Sequence, residues 1–167
     1  MWPKIVVLWY NINMRFLADN MLGSLAKWLR ILGYDVAYLP NADDNELVRV
    51  ARAEGRVLLT RDTALARRRG LKSLLVESGG LENQVRQVLQ QWGLPVGQPF
   101  SRCPLCNTPL QEVDRETVRE RVPPYVFQTQ ECFSLCPRCD KVYWQGTHWA
   151  RMRERIASLC HGPDNSG

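Results

Sequence analysis

The sequence lacks any long hydrophobic run. No apolar stretch approaches the ~18 residues that a membrane-spanning helix needs, and the apolar segment at residues 5–10 is much shorter. That segment follows a single lysine and has no small-residue cleavage site, so we predict no signal peptide. We therefore expect a cytoplasmic protein with no membrane partner and with reduced thiols.

The sequence also lacks a strong net charge. The net charge is +5 over 167 residues, and it is spread along the chain rather than gathered in a tail. A modest basic excess is compatible with a polyanionic partner such as RNA, but it is equally typical of a well-solvated surface. A chain of this length has room for one domain and a small second one.

Short apolar strands alternate with amphipathic helices between residues 14 and 97. This alternation predicts an α/β fold with a mostly parallel sheet flanked by helices. The predicted strands cover residues 15–19, 34–39, 57–59 and 74–76, and the predicted helices cover residues 21–32, 43–54, 63–69 and 81–92.

The rest of the chain predicts a second, smaller module. Residues 93–101 are rich in glycine and proline and are typical of a linker. The second module occupies residues 98–161, residues 162–167 form a polar tail, and residues 1–13 are an uncertain N-terminal extension. Within the module we predict a hairpin or short helix at 111–122, a strand at 141–144 and a helix at 148–159.

Three acidic side chains follow predicted strands. Asp19 comes after the first strand, Asp44 shortly after the second and Asp62 after the third. Because the carboxyl ends of parallel strands meet at one edge of a sheet, we expect these carboxylates to lie together. Mg²⁺ and Mn²⁺ prefer such oxygen ligands, and a cation there would activate water against an RNA phosphodiester. Glu46 is a further candidate, and Asp43 competes with Asp44 for the second position.

Helix capping is an alternative explanation for each acid, because aspartate is a favoured N-cap residue. The recurrence of three acids in the same context favours function. Basic side chains near the acids would hold the RNA backbone without reading its sequence. The candidates are Lys27, Arg30, Arg61, Arg67 and Arg68. A solvated helix face would explain any one of them equally well.

Four of the six cysteines form two Cys-x-x-Cys pairs, Cys103 with Cys106 and Cys136 with Cys139. Four thiolates complete a closed tetrahedral zinc site, which is structural because no coordination position is left open. Such a zinc ribbon would stabilise a module that is too small to fold on its own core. A dithiol redox pair would need only one such motif. We expect Cys132 to be a buried thiol outside the site.

Four segments carry a resemblance to a known family. They read FLADNMLG at residues 16–23, LAKWLRILGYD at 25–35, DNEL at 44–47 and VLLTRD at 57–62. With the cysteine pairs, they resemble the PIN-like RNase family named after the C-terminal domain of the exonuclease Mut-seven, over about residues 14–145.

The resemblance implies a PIN-like α/β fold, a metal-dependent RNase activity and an appended zinc ribbon. It places the acidic positions of the family on Asp19, Asp44 and Asp62, with Glu46 as the fourth. It also implies RNA as the partner, while a homodimer or an inhibitory protein partner is left open.

Two other functions are compatible with the sequence. One is an RNA- or protein-binding module that keeps the fold but no longer cuts. The other is a phosphohydrolase with Asp19 as its nucleophile. Haloacid-dehalogenase-like enzymes of that class normally carry a second aspartate two residues later, where this chain has Met21.

Overall fold

A computed structural model describes residues 14–77, 79–93 and 98–160. The predicted extension at 1–13 and the predicted tail at 162–167 lie outside the described residues. Contacts divide the chain into two compact units, Met1–Asn107 and Thr108–Gly167. Within the described residues, none of the helices is both long enough and apolar enough to span a bilayer.

The first unit is built on a four-stranded parallel sheet. Its strand order is β2-β1-β3-β4, with strands β1 (Arg15–Ala18), β2 (Asp35–Tyr38), β3 (Val57–Thr60) and β4 (Ser73–Leu75). Its helices are α1 (Gly23–Leu32), α2 (Asp44–Glu54), α3 (Thr63–Ala66) and α4 (Leu81–Trp92). The alternation of strands and helices predicted from the sequence is confirmed, and parallel pairing follows because each strand is followed by a helical crossover.

Both faces of the two central strands are buried, which is why residues 16–18 of β1 and residues 57–59 of β3 are continuous apolar runs. On one face, Leu17 and Leu58 pack in a cluster with Leu47, Val48 of α2 and Leu65 of α3. On the other face, Phe16 makes edge-to-face ring contacts with Tyr34 and Trp92, each with ring centroids 5.1 Å apart. The first unit therefore has a helix–sheet–helix layering.

Two helix boundaries differ from the predictions by more than one residue. A turn of 3-10 helix at Asn20–Leu22 precedes α1, so the regular helix begins at Gly23 rather than at Met21. The helix after Asp62 ends at Ala66, so Arg67–Arg69 lie in a turn rather than on a helix. Gly33 ends α1 as predicted, with φ of 109°, a conformation that glycine adopts without steric cost.

The second unit contains a three-stranded antiparallel sheet in the order β5-β6-β7. The strands are β5 (Gln111–Val113), β6 (Phe133–Leu135) and β7 (Val142–Trp144), and the helices are α5 (Pro124–Thr129) and α6 (Thr147–Cys160). The core is a small cluster of Val118, Val122, Val126 and Phe133, against which Trp144 packs. The predicted strand at 141–144 and the terminal helix are confirmed, but β6 and α5 were not predicted because both are too short to show a clear period.

The two units meet in sequence at Asn107 and Thr108 rather than in the predicted linker. Residues 94–97 of that linker lie outside the described residues. Hydrogen bonds explain why residues 100–107 belong to the first unit. The Phe100 amide donates to the Ile31 carbonyl at 2.7 Å, and the Val36 amide donates to Asn107 Oδ1 at 3.0 Å.

Candidate acidic site and cysteine centre

Asp19 occupies the edge of the sheet where the carboxyl ends of the parallel strands meet. It directly follows β1, which lies between β2 and β3. The side chain is 7% exposed. Its Oδ1 accepts from the Met21 amide at 2.9 Å, which caps the 3-10 turn. Its Oδ2 accepts from the Thr60 hydroxyl.

Thr60 connects Asp19 to Asp62. Thr60 is fully buried at the end of β3, and its Oγ1 accepts from the Asp62 amide at 3.0 Å while it donates to Asp19. Asp62 is exposed, and its Oδ1 accepts from the Leu65 amide at 2.9 Å, which caps α3. The structure therefore links two of the predicted acids, which follow neighbouring strands, and each also caps a helix.

Asp43 and Asp44, the alternatives for the second acidic position, have different roles in the structure. Asp43, not Asp44, is the N-cap of α2, because its Oδ1 accepts from the Glu46 amide at 2.8 Å. Asp44 is the first residue of that helix and is exposed. Glu46 is exposed in the first turn, where its Oε1 lies 3.8 Å from an Arg49 guanidinium nitrogen. Helix capping therefore does not account for Asp44.

Asp19, Asp44 and Asp62 each follow the carboxyl end of a parallel strand and carry the oxygen donors that Mg²⁺ and Mn²⁺ prefer. Each ionised carboxylate has about four lone-pair positions, so Asp19 keeps acceptor capacity beside its two hydrogen bonds. In the described part of the chain, however, the acids do not form a close group of three possible ligands. Mutual repulsion between carboxylates favours such separation until a cation neutralises them.

The predicted basic residues fall into two classes. Lys27, Arg61, Arg67 and Arg68 are exposed, as a contact to a polyanion requires. The Arg68 guanidinium donates to Asn45 Oδ1 at 2.8 Å, so one of these side chains is oriented by the first turn of α2.

Arg30 was predicted with them but is only 6% exposed. Its Nε donates to the Val36 carbonyl at 2.8 Å, and one terminal nitrogen donates to the carbonyls of Pro104 and Leu105, both at 3.1 Å. Burial lowers the pKa of Arg30, and the nearby Cys106 and Cys103 oppose that shift. The buried guanidinium holds the Cys103–Cys106 turn against α1 and β2, which is a structural role in place of the predicted surface contact.

Asn107 has a role that the sequence analysis missed. Its Nδ2 donates to Asp35 Oδ1 at 2.7 Å, in addition to the bond that its Oδ1 accepts from β2. Its φ of 71° is one that asparagine tolerates better than most residues. An asparagine directly after a Cys-x-x-Cys turn was the available signal.

The four cysteines of the two predicted pairs come together. The Sγ atoms of Cys103, Cys106, Cys136 and Cys139 all lie within 4.8 Å of one another. Cys103 and Cys136 are buried, and the other two are partly exposed. Four thiolates at this separation can bind one zinc ion in a closed tetrahedral site. Cys132 lies outside the cluster but is exposed, so the expectation of a buried thiol was wrong.

Comparisons with known proteins show what the chain is similar to. The chain is 37% identical over 101 residues to the human protein named "Exonuclease mut-7 homolog", in a match that covers 56% of this chain and 12% of that protein. The chain thus spans about an eighth of the length of that relative. No solved structure matches the chain. The family described as "Mut7-C RNAse domain" matches residues 14–156, and the chain belongs to that family.

Proposed function

We propose that this protein is a metal-dependent ribonuclease that hydrolyses RNA phosphodiester bonds at the acidic edge of the parallel sheet. The observation that carries the proposal is the hydrogen-bonded connection from Asp19 through Thr60 to Asp62. It joins the Asp19 carboxylate to the backbone of Asp62 at the edge where α/β sheets bind their ligands. Membership of an RNase family and the exonuclease name of the human relative support the same activity.

Each side chain at the edge has a defined task in this proposal. Asp19, Asp44 and Asp62 hold Mg²⁺ or Mn²⁺, with Glu46 as a fourth acid. When bound, such a cation supplies Lewis-acid chemistry that polarises a phosphate and acidifies water. The buried Thr60 keeps the Asp19 carboxylate in one orientation. The exposed Lys27, Arg61, Arg67 and Arg68 bind phosphates of the strand.

The cysteine centre has a separate task. We propose that it binds Zn²⁺ as a structural ion and that the ribbon around it aids RNA binding. Arg138 and Lys141 are exposed beside the second cysteine pair, where they offer positive charge to the RNA backbone. We place this activity in the cytoplasm, with RNA as the partner.

The proposal is tested by cleavage of a mixed panel of single-stranded and structured RNAs. Cleavage with Mn²⁺ or Mg²⁺ is compared with EDTA, using the wild type, Asp19→Asn and Asp62→Asn. The matched control is Asp114→Asn, because Asp114 lies outside the acidic edge in the second unit. Metal-dependent cleavage that both edge variants lose and the control keeps would support the proposal. A folded, zinc-loaded wild type that cuts none of the RNAs would contradict it.

A second candidate function is a non-catalytic RNA- or protein-binding module. The separation of the three acids among the described residues favours it. Calorimetry distinguishes the two candidates. A nuclease should bind Mn²⁺ at the acidic edge and lose that binding in Asp19→Asn, whereas a binding module should show RNA affinity without a Mn²⁺ signal.

A further inference from the structure

Arginines from two separate segments of the first unit are brought close together. Arg49 and Arg52 lie on α2, and Arg67, Arg68 and Arg69 lie in the turn after α3. All five are exposed. We call these five residues the arginine surface. Residues 45, 49 and 52 have the helical spacing that places side chains on one face of α2.

Two hydrogen bonds join the segments. The Arg52 guanidinium donates to the Arg69 carbonyl, and the Arg68 guanidinium donates to Asn45 Oδ1 at 2.8 Å. Gly70, with φ of 69°, turns the chain so that its Cα faces Arg52; a Cβ there would lie 3.7 Å from a guanidinium nitrogen. The turn is thus fixed against the helix, and its arginines are held close to those of α2.

The charge of the arginine surface is largely uncompensated. Arg52 and Arg68 donate to neutral acceptors. Across the described ranges, the one ion pair that involves the surface joins Arg49 to Glu46 at 3.8 Å, with both side chains about half or more exposed. An exposed pair of this length contributes little energy and is screened by salt. Four positive charges without an ion pair among the described residues, and a fifth in a weak exposed pair, are costly to hold together unless an anionic partner approaches.

The arginine surface begins beside the acidic edge. Asn45 follows Asp44, and Arg67 follows Asp62 after the single turn of α3. From residue 45 to residue 52, α2 rises about 10 Å away from that edge. The surface therefore provides positive charge next to the acids and for more than one phosphate spacing beyond them.

We propose that the arginine surface binds the phosphate backbone of an RNA strand that extends from the acidic edge along α2. The chemistry is that of guanidinium groups contacting successive phosphates, which positions a strand without reading its bases. Arg49, Arg52 and Arg69 are thereby added to the residues proposed to contact RNA. The direction of the strand rests on the proposed nuclease function, whereas the binding itself does not.

The test measures RNA affinity by fluorescence anisotropy at several salt concentrations, with zinc-loaded protein and no added Mg²⁺ or Mn²⁺. Each phosphate contact that is lost lowers the slope of log K against log salt by about 0.7 for a single strand. The double variant Arg49→Gln/Arg67→Gln removes two charges whose side chains make no hydrogen bond within the described structure. We expect its slope to fall by about 1.4.

The matched control is Arg15→Gln/Lys72→Gln, which removes the same charge from two exposed side chains of the first unit. Arg15 begins β1 and Lys72 directly precedes β4, so both lie at the edge of the sheet opposite the acids. An equal loss of slope in the control, or no loss in the test variant, would overturn the proposal. Binding of the wild type to anionic vesicles but to neither single-stranded nor double-stranded RNA would also overturn it. If circular dichroism shows that the double variant is unfolded, Arg67→Gln alone is measured, with an expected fall of about 0.7.

The arginine surface and the proposed nuclease activity can be rejected independently of each other. RNA binding with the expected slope but without cleavage in Mn²⁺ would retain the arginine surface and reject the nuclease. If Asp62→Asn abolishes cleavage but the arginine variants leave the salt slope unchanged, the nuclease is retained and the arginine surface is rejected.

Discussion

The Thr60 hydroxyl donates to the Asp19 carboxylate and at the same time accepts from the amide of Asp62. Thr60 is therefore the residue through which the acid after β1 and the acid after β3 are held in a fixed relation. Because Thr60 is fully buried, this arrangement is protected from competition by water, and loss of the hydroxyl leaves a buried carboxylate with one donor fewer.

Thr60→Val is expected to weaken both stability and activity. Valine has the shape of threonine but leaves Asp19 Oδ2 without its donor, which costs about 1–3 kcal/mol of unfolding free energy. We also expect Mn²⁺ affinity and cleavage to fall about 10- to 100-fold, as is typical when a residue that orients a metal ligand is lost. Urea denaturation, calorimetry and RNA cleavage measure the three effects.

Thr60→Ser is the control, because serine keeps the hydroxyl. It should restore Mn²⁺ affinity and cleavage to near the wild-type values. If Thr60→Val loses stability but cuts RNA at the wild-type rate, then Thr60 is purely structural and does not position Asp19.

Substitutions of Asp43 and Asp44 are expected to differ in effect, because Asp43 caps α2 whereas Asp44 is proposed to bind the metal. Asp43→Ala removes the acceptor for the Glu46 amide and should cost about 1 kcal/mol of stability. Asp44→Asn should leave the melting temperature nearly unchanged but abolish cleavage, because Asp44 does not cap α2. Thermal melting and RNA cleavage on both variants check this. Full cleavage by Asp44→Asn would remove Asp44 from the site.

Arg30→Met is expected to destabilise the first unit and to speed zinc release. The variant leaves the carbonyls of Val36, Pro104 and Leu105 without this donor, and a buried acceptor left unsatisfied costs about 1–3 kcal/mol of unfolding free energy. The Cys103–Cys106 turn would then be held less firmly against α1. Urea denaturation and zinc transfer to a coloured chelator measure the two effects.

Lys27→Met is the matched control for Arg30→Met, because Lys27 lies on the same helix but is exposed. It should change neither stability nor zinc release appreciably. Equal zinc-release rates for Arg30→Met and the wild type would show that Arg30 does not support the cysteine centre.

Asp35 is expected to contribute to loss of stability in acid. Burial alone would raise the pKa of Asp35, but hydrogen bonds from Arg56 and Asn107 outweigh it and hold the pKa below the ordinary value of 3.8. A carboxyl whose folded-state pKa is depressed stabilises the fold above its unfolded pKa. That contribution is lost as the pH falls through the folded-state pKa.

The variant Asp35→Asn isolates this contribution from zinc loss, which acid also causes. Its free energy of unfolding should be lower than that of the wild type at pH 7. This difference between the two proteins should narrow as the pH falls below about 4. Urea denaturation of both proteins across that range checks the sign. A gap that widens in acid would contradict it.

Much of the first unit was predictable because its signals are local. The apolar runs of β1 and β3 and the apolar face of α4 follow from burial on both faces or on one face. The family could be inferred from four short segments and two cysteine pairs. Strand β6 and helix α5 could not be predicted, because each has too few residues for a hydrophobic periodicity to be recognised.

The sequence by itself determined that acids follow parallel strands and that four thiols are paired for a metal. Only the tertiary structure decided which acids share a hydrogen-bonded partner, since Thr60 and Asp19 are 41 residues apart. It also decided that Asp43 caps α2, that Arg30 is buried and that Arg52 supports the turn at Arg69. Such roles depend on which backbone groups face a side chain, and packing between distant segments sets that arrangement.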